Sequence, residues 1–431
     1  MHAPLPEYPA KTHARYLASL IERTGFIDFD GEKTISYSSL FESGQGRMLA
    51  VMTAIDESGS EVLLKAFSGT FGSVRNLAGW VAHPLVEEEY QHYLKHYDPQ
   101  IKALDKKIEA ANTLGEKNAL IKERKTLSQK ALAHYNEIFC LATIDRNTFS
   151  LYEIFNGPVP TGSGECCAPK LFHHAFTHNL RPTSMAEFFI GSSLQGRTHG
   201  HFYPPCTERC RPILKAQLGL EILYRDEHLI IVNKESGLLS VPGNGPDMQD
   251  SVESRVRRLY PDAPRQCAVH RLDMDTSGIV IVALHRRALS AMHALFRERA
   301  VQRAYEALLE GVVLQEEGVV HLPFRADLAN RPYQIYDEEN GKWGTTDYLR
   351  MGVEVRPDGS KVTRVHFVPH TGRTHQLRLH ASHPKGLGHP ILGDRLYGTG
   401  LVDRLFLHAK LVSFTHPFSG ELLEITSKPP F

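Results

Sequence analysis

HRLDMDTSG occupies residues 270–278 and leads directly into the apolar run IVIVAL, residues 279–284. A short apolar run of this kind is typical of a buried strand. Asp, Thr, Ser and Gly favour turns for local hydrogen-bonding or backbone reasons, so a turn explains the last three residues of the motif. It does not explain His270, Arg271 and Asp273. The polar residues in front of this strand therefore indicate more than a change of chain direction.

The composition bounds the class of protein. A chain of 431 residues is long enough for two or three domains, and its 42% hydrophobic and 23% charged content is ordinary for a globular protein. No apolar run approaches the ~20 residues that span a bilayer, and the N-terminus lacks the basic start and apolar core of a secretory signal. We therefore expect a cytoplasmic protein that does not bind membranes.

The charge balance argues against nucleic-acid binding through an overall positive field, because 49 basic and 49 acidic residues sum to zero. A local basic cleft is compatible with that balance. From Leu218 onward the chain has 26 basic and 26 acidic residues, and 20 of the basic residues are arginine. Arginine suits phosphate and base edges better than lysine does, so this skew is a hint of nucleic-acid recognition.

The first half of the chain predicts an N-terminal accessory domain over residues 1–216. Two β-prone runs around the turn ESGS predict a hairpin over residues 47–72. A charged segment over about 87–137 has helical spacing and predicts an antiparallel helical arm, with Pro99 limiting its start and Gly115 as a break. We interpret the charges of the arm as a solvated face.

The segment 157–216 is rich in Gly, Pro, Cys and His, and its composition predicts irregular structure. Four of its cysteines raise the question of a metal: they are Cys166, Cys167, Cys206 and Cys210. Tetrahedral zinc takes four Cys or His ligands, often as two closely spaced pairs. Adjacent cysteines are an imperfect pair, however, and C-x3-C is less usual than C-x2-C. A set of reduced, partly buried thiols is the alternative, and the sequence leaves both open.

The second half of the chain predicts a separate domain over residues 217–431. Strands and helices interleave, but hairpins dominate, as where TTDYLRMGVEV and SKVTRVHFVPH flank a Pro-Asp-Gly turn. This pattern favours an α+β domain on a mixed, largely antiparallel sheet. Three polar clusters lie beside its strand or helix ends, at residues 270–273, 303–305 and 372–380. Taken singly, they could be a turn, a cross-strand pair and a solvated helix face.

Taken together, the clusters resemble the RluA family of RNA pseudouridine synthases. The stretch from Tyr224 to the C-terminus carries, in the family's order, LYRDEHLIIVNKESGLLSVPG, HRLDMDTSGIVIVAL, RAYEALLEG, GRTHQLRLH and HPILGDRLYG. The resemblance covers roughly half of the chain, and HRLDxxTSG is a highly specific motif. SGLLSVPG and HPILGDRLYG are most similar to the family member that modifies both large-subunit ribosomal RNA and tRNA.

The resemblance implies an isomerase that breaks the N1–C1′ bond of a uridine, turns the base and rejoins it through C5. The family's essential aspartate falls on Asp273. This carboxylate could attack the sugar carbon, or remove a sugar proton on the way to a glycal-like intermediate, and both routes stay open. The resemblance also implies that Arg378 pairs with Asp273 and lowers its pKa, and that Tyr305 stacks on the target base.

The same resemblance implies the contacts with RNA. Arg271 is expected to fill the gap that the uridine leaves when it is extruded from its stack. Arg373 and Leu379 are assigned with it to binding RNA and the base. We interpret His270 as a strand-end hydrogen-bonding residue and Lys234 as a residue that packs and orients the sheet. No metal or organic cofactor is implied for the reaction.

The implied partner is ribosomal RNA, tRNA or both, with an association with ribosome precursors, and we expect a monomer. A non-catalytic RNA-binding or ribosome-assembly protein is one alternative, but a retired active site would be free to lose Asp273, Tyr305 and Arg378. A nucleoside hydrolase is another, and it would need a second carboxylate as general acid. We expect the N-terminal domain to bind RNA or protein rather than to catalyse a reaction.

Overall fold

The structure, a computed structural model, describes residues 4–42, 44–194 and 196–431. The chain divides after Glu221 into two units, each with its own internal contacts. The boundary expected from the sequence lies after residue 216. Among the helices of the described residues, none is both long and apolar enough to cross a bilayer.

The first unit begins with a helix whose buried face packs on a three-stranded sheet. In chain order the unit contains α1 (Ala10–Thr24), a 3-10 helix (Tyr37–Phe41), β1 (Arg47–Ile55), β2 (Glu61–Phe67), α2 (Glu87–Ala110), α3 (Leu114–Ile138), β3 (Cys140–Ala142), β4 (Thr148–Ser150), α4 (Leu151–Phe155), α5 (Cys167–Thr177), β5 (Arg181–Ile190) and α6 (Cys210–Leu218). The sheet is antiparallel in the order β2-β1-β5, and β1 with β2 forms the hairpin expected over residues 47–72. Ala14, Leu17 and Ile21 of α1 lie on one helical face in its core.

The charged segment expected as a helical arm forms α2 and α3, which pack side by side. Arg124 of α3 pairs with Asp105 of α2, and His134 of α3 contacts Tyr93 of α2. Because the later residue of one helix meets the earlier residue of the other, the two helices are antiparallel. Leu104 is the buried residue of α2, so most of the surface of this helix is solvated.

Two details of the arm differ from the expectation. Pro99 does not limit the start of the helix but lies inside α2. A proline removes one helical hydrogen bond, and on this solvated helix water can bond the freed carbonyl instead. The break lies at residues 111–113 rather than at Gly115, because Thr113 caps α3 by accepting the N–H of Glu116 at 3.2 Å.

The Cys- and His-rich segment is more regular than its composition predicts. The expectation of irregular structure is wrong there, since residues 157–216 include α5, β5 and α6. Pro169 lies in the first turn of α5, where the backbone N–H has no helical partner, so this proline does not break the helix. Eight residues of α5 are buried.

The second unit is built on one large sheet. In chain order it contains β6 (Glu221–Arg225), β7 (Leu229–Lys234), a 3-10 helix (Pro246–Met248), α7 (Val252–Leu259), β8 (Ser277–Ala283), α8 (Arg286–Arg297), β9 (Gln302–Glu310), β10 (Glu317–Ala326), β11 (Gln334–Tyr336), β12 (Lys342–Val355), β13 (Lys361–Pro369), α9 (Gln376–Ser382), β14 (Leu407–Thr415) and β15 (Leu422–Thr426). The strand order is β11-β10-β12-β13-β9-β14-β8-β7-β6, with β15 paired to β14. β8 and β14 pair in parallel, and the other described registers are antiparallel. The expected α+β domain on a mixed, largely antiparallel sheet is confirmed.

Gly278 shows why the motif at residues 270–278 ends in glycine. Its φ is +116°, and a Cβ at this position would lie 2.3 Å from the carbonyl oxygen of Ala409. Gly278 pairs with Ala409 in the parallel register of β8 and β14. The glycine therefore allows these two strands to approach, in addition to any role in a turn.

Candidate active site

A cleft of about 1610 Å³ opens beside the central strands of the second unit. Three stretches of chain contribute to its wall: residues 268–273 ahead of β8, residues 301–305 at the start of β9, and residues 368–378 from the end of β13 into α9. β9 and β8 both pair with β14, and β13 pairs with β9. Sheet pairing therefore brings together the three polar clusters that are far apart in sequence.

The cleft is strongly basic, although the whole chain has a formal net charge of zero. Among the described residues that line it, seven are arginines and two are carboxylates. The arginines are Arg265, Arg271, Arg297, Arg299, Arg303, Arg373 and Arg378, and the carboxylates are Glu253 and Asp273. Concentrating positive charge in a concave site raises the local potential for a polyanion. The local basic cleft that the neutral charge balance allows is thus present among the described residues.

The loop that carries Asp273 is fixed from both sides. Ser240 Oγ accepts the N–H of Leu272 at 2.9 Å and donates to the carbonyl of the same residue at 2.8 Å. Lys234 Nζ, which is buried, donates to the carbonyls of Leu238 and Met274, both at 2.7 Å. Burial lowers the pKa of Lys234 to about 7. Lys234 therefore does more than pack the sheet: it ties the end of β7 to the residue after Asp273.

Asp273 faces the cleft opposite a firmly held guanidinium. Arg378 Nη1 lies 3.7 Å from Asp273 Oδ2. The shorter bonds of Arg378 go to Asp394, from Nε at 2.8 Å and from Nη2 at 2.7 Å. Asp394 is fully buried, and its Oδ1 also accepts the N–H groups of Leu396 and Tyr397. The expected pairing of Arg378 with Asp273 is thus looser than the pairing that holds Arg378 in place.

His375 is a second polar neighbour of Asp273. Its Nε2 lies 4.0 Å from Asp273 Oδ1, and its Nδ1 is hydrogen-bonded to the Tyr397 hydroxyl at 2.9 Å. That hydroxyl also accepts the N–H of Gln334 at 2.7 Å. Burial lowers the pKa of His375, against the attraction of the Asp273 charge. A hydroxyl proton donated to Nδ1 leaves the imidazole proton on Nε2, on the side of Asp273.

Tyr305 lines the cleft from the sheet. It lies in β9, paired with Phe367 on one side and Ala409 on the other, and it is 7% exposed. Burial raises the pKa of Tyr305, and the Asp273 charge adds to this shift, whereas Arg303 opposes it. The phenol is therefore protonated near neutral pH. Its side chain contributes to the lining of the cleft.

The three residues assigned to RNA contact do not share one environment. Arg271 and Arg373 are exposed and line the cleft, and the Arg373 Nε lies 3.5 Å from the carbonyl oxygen of Trp343. Leu379 is 5% exposed and is not among the residues that line the cleft. The structure brings Arg271 and Arg373 to the site and does not bring Leu379. The residues of α9 that line the cleft are Gln376, Leu377 and Arg378.

His270 behaves as the sequence predicts for a structural residue. Its Nε2 accepts the backbone N–H of Ile281 at 3.2 Å, and its ring stacks on Phe296 with centroids 5.3 Å apart. Burial lowers the pKa of His270 to about 3. A ring that accepts a backbone hydrogen bond and titrates so low is neutral at physiological pH, which agrees with a strand-end role.

Sequence reasoning missed three features of the site: the buried Asp394, the His375–Tyr397 pair and the loop-holding role of Lys234. Each lies inside a block already quoted for the family resemblance. A carboxylate inside the apolar run ILGDRLYG was a usable signal, because an unpaired aspartate is rarely buried. A lysine that closes the apolar run LIIVNK was another.

Comparison with known proteins identifies a family whose model matches the part of the chain that carries this site. The family model for RNA pseudouridylate synthase matches residues 228–383, a range that includes Asp273, Tyr305 and Arg378. It ends before Asp394.

Individual relatives match over about the same share of the chain. The dual-specificity RNA pseudouridine synthase RluA of Haemophilus ducreyi is 43% identical over 220 residues, which cover 49% of this chain and 94% of that protein. The RluA of Escherichia coli K12 is 45% identical over 215 residues, which cover 49% and 93%. Among solved structures, human RNA pseudouridylate synthase domain containing 1 has 30% identity and a TM-score of 0.42, covering 49% of this chain and 84% of its own.

Proposed function

This chain belongs to the RluA family of RNA pseudouridine synthases, and from that membership we propose that it isomerises specific uridines of structured RNA through Asp273. The single observation that carries the assignment is the position of Asp273. Its side chain is 27% exposed, it faces a cleft lined by seven arginines, and the Arg378 guanidinium lies 3.7 Å away. Glu253 is the other carboxylate among the described lining residues, and it accepts the backbone N–H of Gln266 instead.

Two routes use the same carboxylate. In the nucleophilic route an oxygen of Asp273 bonds C1′ while the N1–C1′ bond breaks and its electron pair stays on uracil. The base then turns, C5 bonds C1′, the carboxylate leaves, and the proton on C5 is lost. In the elimination route Asp273 removes the 2′ proton as uracil departs, and the glycal takes the base back at C1′ through C5 and regains the proton. Both routes stay open.

Arg378 and His375 would serve these routes as positioning residues. Asp394 and the Tyr397 hydroxyl hold them, so neither has to reorganise when the sugar carbon develops positive charge. Lys234 and Ser240 hold the loop that presents Asp273. A carboxylate fixed in this way meets the substrate with little loss of side-chain freedom.

The remaining wall of the cleft suits a uridine that has left its helical stack. Tyr305 offers an aromatic surface on which the uracil ring could stack, and base–aromatic stacking contributes about 1–3 kcal/mol. Arg271 is exposed beside Asp273, where its guanidinium could fill the gap in the RNA. Arg373 and the other cleft arginines would bind phosphates. These roles are assigned from position and chemistry.

The RNA targets, partners and location are proposed at the level that the family supports. We assign the activity to stem-loops of large-subunit ribosomal RNA, tRNA or both, since the relatives named above are called dual-specificity enzymes. An association with ribosome precursors, a monomeric state and a cytoplasmic location complete the proposal. Mapping pseudouridines in RNA from cells with and without this gene would identify the target uridines.

Tritium release tests the catalytic assignment. Isomerisation replaces the C5–H bond by C5–C1′, so RNA that carries uridine tritiated at C5 releases its label to water. Full-length protein should release the label, and Asp273→Asn should not, because the amide keeps the shape but lacks the charge. Asp275→Asn is the matched control, since Asp275 lies two residues away and is not among the cleft-lining residues. Release by Asp273→Asn at the rate of the Asp275→Asn protein would refute the assignment.

A non-catalytic RNA-binding role makes the opposite prediction. A protein that only binds RNA would shift the mobility of its target without releasing tritium from it. The family membership supports the catalytic role rather than this alternative. Full-length protein that binds ribosomal RNA or tRNA but releases tritium from neither would restore the alternative.

A further inference from the structure

Three cysteines of the first unit converge although they are distant in sequence. The sulfur atoms of Cys166, Cys206 and Cys210 all lie within 4.8 Å of one another, and Cys206 Sγ lies 3.4 Å from Cys210 Sγ. A disulfide would need a separation of about 2.0 Å. Four ligands at ~2.3 Å from a tetrahedral zinc ion place thiolate sulfurs roughly 3.8 Å apart. The observed spacing thus resembles that of a metal site more than that of a bridge.

The helices that carry two of these cysteines begin at the cluster. Cys166 is the N-cap of α5, and Cys210 is the first residue of α6, so two helix N-termini converge on the cluster. The positive end of a helix dipole stabilises a thiolate. Cys206 Sγ also accepts the backbone N–H groups of Arg209 and Cys210. Backbone amides therefore point at the sulfur from the turn that precedes α6.

A buried carboxylate lies beside the cluster without a full set of partners. Glu187 of β5 is 6% exposed, and within the described part of the chain its Oε1 has no hydrogen-bond partner. Its carboxylate accepts the N–H of Ala168, two residues after Cys166. Its backbone carbonyl accepts the N–H of Tyr203, three residues before Cys206, at 3.0 Å. Glu187 thus lies between the two segments that supply the thiols, where a bound cation would stabilise its charged form.

We propose that Cys166, Cys206 and Cys210 bind one Zn²⁺ as thiolates, and that the Glu187 carboxylate, which lies outside the cluster of three sulfurs, completes the ligand set by moving toward the ion when it binds. This set differs from the two pairs that the sequence offers. Cys167 is fully buried and its sulfur donates to the carbonyl of Met48 at 3.2 Å, so it packs in the core instead. A site closed by four protein ligands is structural rather than catalytic.

The ion would connect three elements that the sequence alone does not join. It would fix the start of α5, the middle of β5 and the start of α6 around one point. Because a preformed site is absent from the unfolded chain, the binding free energy of the metal becomes folding free energy of this unit. The proposed ligands belong to the first unit, and the cleft residues assigned to the reaction belong to the second.

Metal analysis of the full-length protein tests the proposal. The protein is purified under reducing conditions without added metal or chelator, and zinc is measured by inductively coupled plasma mass spectrometry. We expect about one zinc ion per chain. Cys206→Ser should lose the zinc, whereas Cys140→Ser, the matched control from the same unit outside the cluster, should retain it. If Cys206→Ser fails to fold, the zinc content of the unaltered chain still decides.

Three outcomes would overturn the site. They are unaltered protein without zinc, zinc that Cys206→Ser leaves in place, and iron in place of zinc. Replacement by Co²⁺ adds a spectroscopic test, since tetrahedral thiolate coordination gives intense ligand-field bands that octahedral Co²⁺ lacks. Octahedral-type weak bands would also contradict the proposal.

Glu187→Gln tests the fourth ligand separately. The amide keeps the size of the side chain but is a poorer zinc ligand than a carboxylate. We expect this variant to release zinc to a chelator at least about tenfold faster than unaltered protein, in the range typical for a weakened metal site. Equal release rates would remove Glu187 from the ligand set.

Discussion

Two carboxylates, one in each unit, are surrounded in different ways. Glu165 of the first unit is hydrogen-bonded to His83 at 2.8 Å and to the Tyr135 hydroxyl at 3.2 Å, and Lys170 Nζ lies 3.3 Å from its other oxygen. Burial by itself would raise the pKa of Glu165, but the hydrogen bond with His83 and the Lys170 charge lower it to about 2. Three side chains therefore hold this carboxylate at short range.

Asp273 of the second unit has polar neighbours but is not closed in. Arg378 at 3.7 Å and His375 at 4.0 Å both lie beyond the ~3.2 Å of a normal N–H···O bond. Each neighbour makes its short hydrogen bond elsewhere, to Asp394 and Tyr397. The comparison teaches that a carboxylate hydrogen-bonded by its neighbours and paired with a lysine holds a fold together, whereas one held near a fixed guanidinium without bonding it is available to a substrate.

Substituting each of the two carboxylates tests the comparison most strongly, because one change should affect turnover and the other should affect stability. Asp273→Asn should lower turnover by more than about 10³-fold while changing the free energy of unfolding by less than about 1 kcal/mol. Glu165→Gln should instead destabilise the protein by about 3 kcal/mol, because it leaves Lys170 buried without its anion. Tritium release measures the first effect and urea denaturation measures the second.

The two readouts should stay separate. Glu165→Gln protein that is still folded should release tritium at the rate of unaltered protein, and Asp273→Asn should still shift target RNA in a gel. A large loss of stability in Asp273→Asn would mean that this carboxylate is structural after all.

Asp394→Asn should combine both kinds of damage. Removing the charge leaves the buried Arg378 without its bidentate partner, which should cost about 3 kcal/mol of unfolding free energy. Turnover should also fall, because Arg378 can then swing to bond Asp273 directly. Asp403→Asn, an exposed change in the same region, is the control and should alter neither quantity. Unchanged turnover in Asp394→Asn would show that the placement of Arg378 does not matter for the reaction.

Tyr305 tests a second kind of contribution in the cleft, an aromatic stacking surface, against the charge supplied by Asp273. Tyr305→Ala should lower turnover by roughly 10–10² fold, because the stacking surface is lost. Tyr305→Phe keeps the ring and should retain more activity than the alanine variant. Steady-state tritium release compares them. Two equally inactive variants would point to the hydroxyl, as a proton carrier or hydrogen-bond donor, instead of the ring.

His380 extends the comparison to a buried base on α9, hydrogen-bonded through Nδ1 to Thr346. Burial lowers the pKa of His380 to about 4, whereas histidine in an unfolded chain titrates near ~6.5. Below pH ~6.5 the unfolded chain therefore binds a proton that the folded chain does not. The stability from this residue is complete above that pH and falls toward pH 4 by about 1.4 kcal/mol per pH unit.

Denaturation at several pH values measures this slope. His380→Gln should flatten it by about that amount, and His293→Gln, at an exposed position of α8, should leave it unchanged. An unchanged slope in His380→Gln would mean that this histidine is protonated in the folded protein.

The smallest expected effect compares the two units directly. A fragment of residues 217–431 keeps β6 and every cleft residue, and we expect it to fold and to isomerise a short stem-loop. If the arm of α2 and α3 contacts phosphates, the full-length chain should show a salt dependence of affinity steeper by about 1–2 in logarithmic slope. Equal slopes on the same RNA would favour a protein-binding or structural role for the first unit. An insoluble fragment would show that the expected boundary is wrong.

The features that could be predicted from the sequence are those formed by residues close together in the chain. The turn and strand around Asp273 are local, and the hairpin over residues 47–72 follows from alternation and a short turn. The family blocks supplied Tyr305 and Arg378 without any knowledge of distance. The fold class followed from the predominance of hairpins.

The rest depends on contacts between distant residues. The Lys234 side chain bonds the carbonyl of Met274, 40 residues later, and the Gln334 amide bonds the Tyr397 hydroxyl, 63 residues later. No local pattern reports such partners. The thiols of Cys166 and Cys206 converge through contacts of this long-range kind, so the sequence does not reveal their proximity. The prediction for segment 157–216 is wrong for the same reason, because its helices are stabilised by burial rather than by composition.

The contrast between a neutral chain and an arginine-lined cleft also governs how this enzyme would travel through a cell. With no net charge, its field at a distance is weak, and at physiological ionic strength whatever reaches beyond about 8 Å is screened. The protein would then bind non-target RNA only weakly and dissociate from it quickly. Only an RNA strand that enters the cleft meets the arginines at short range. The rate of target finding is therefore set by collisions in which the RNA fits the cleft, rather than by long sliding along phosphate backbones.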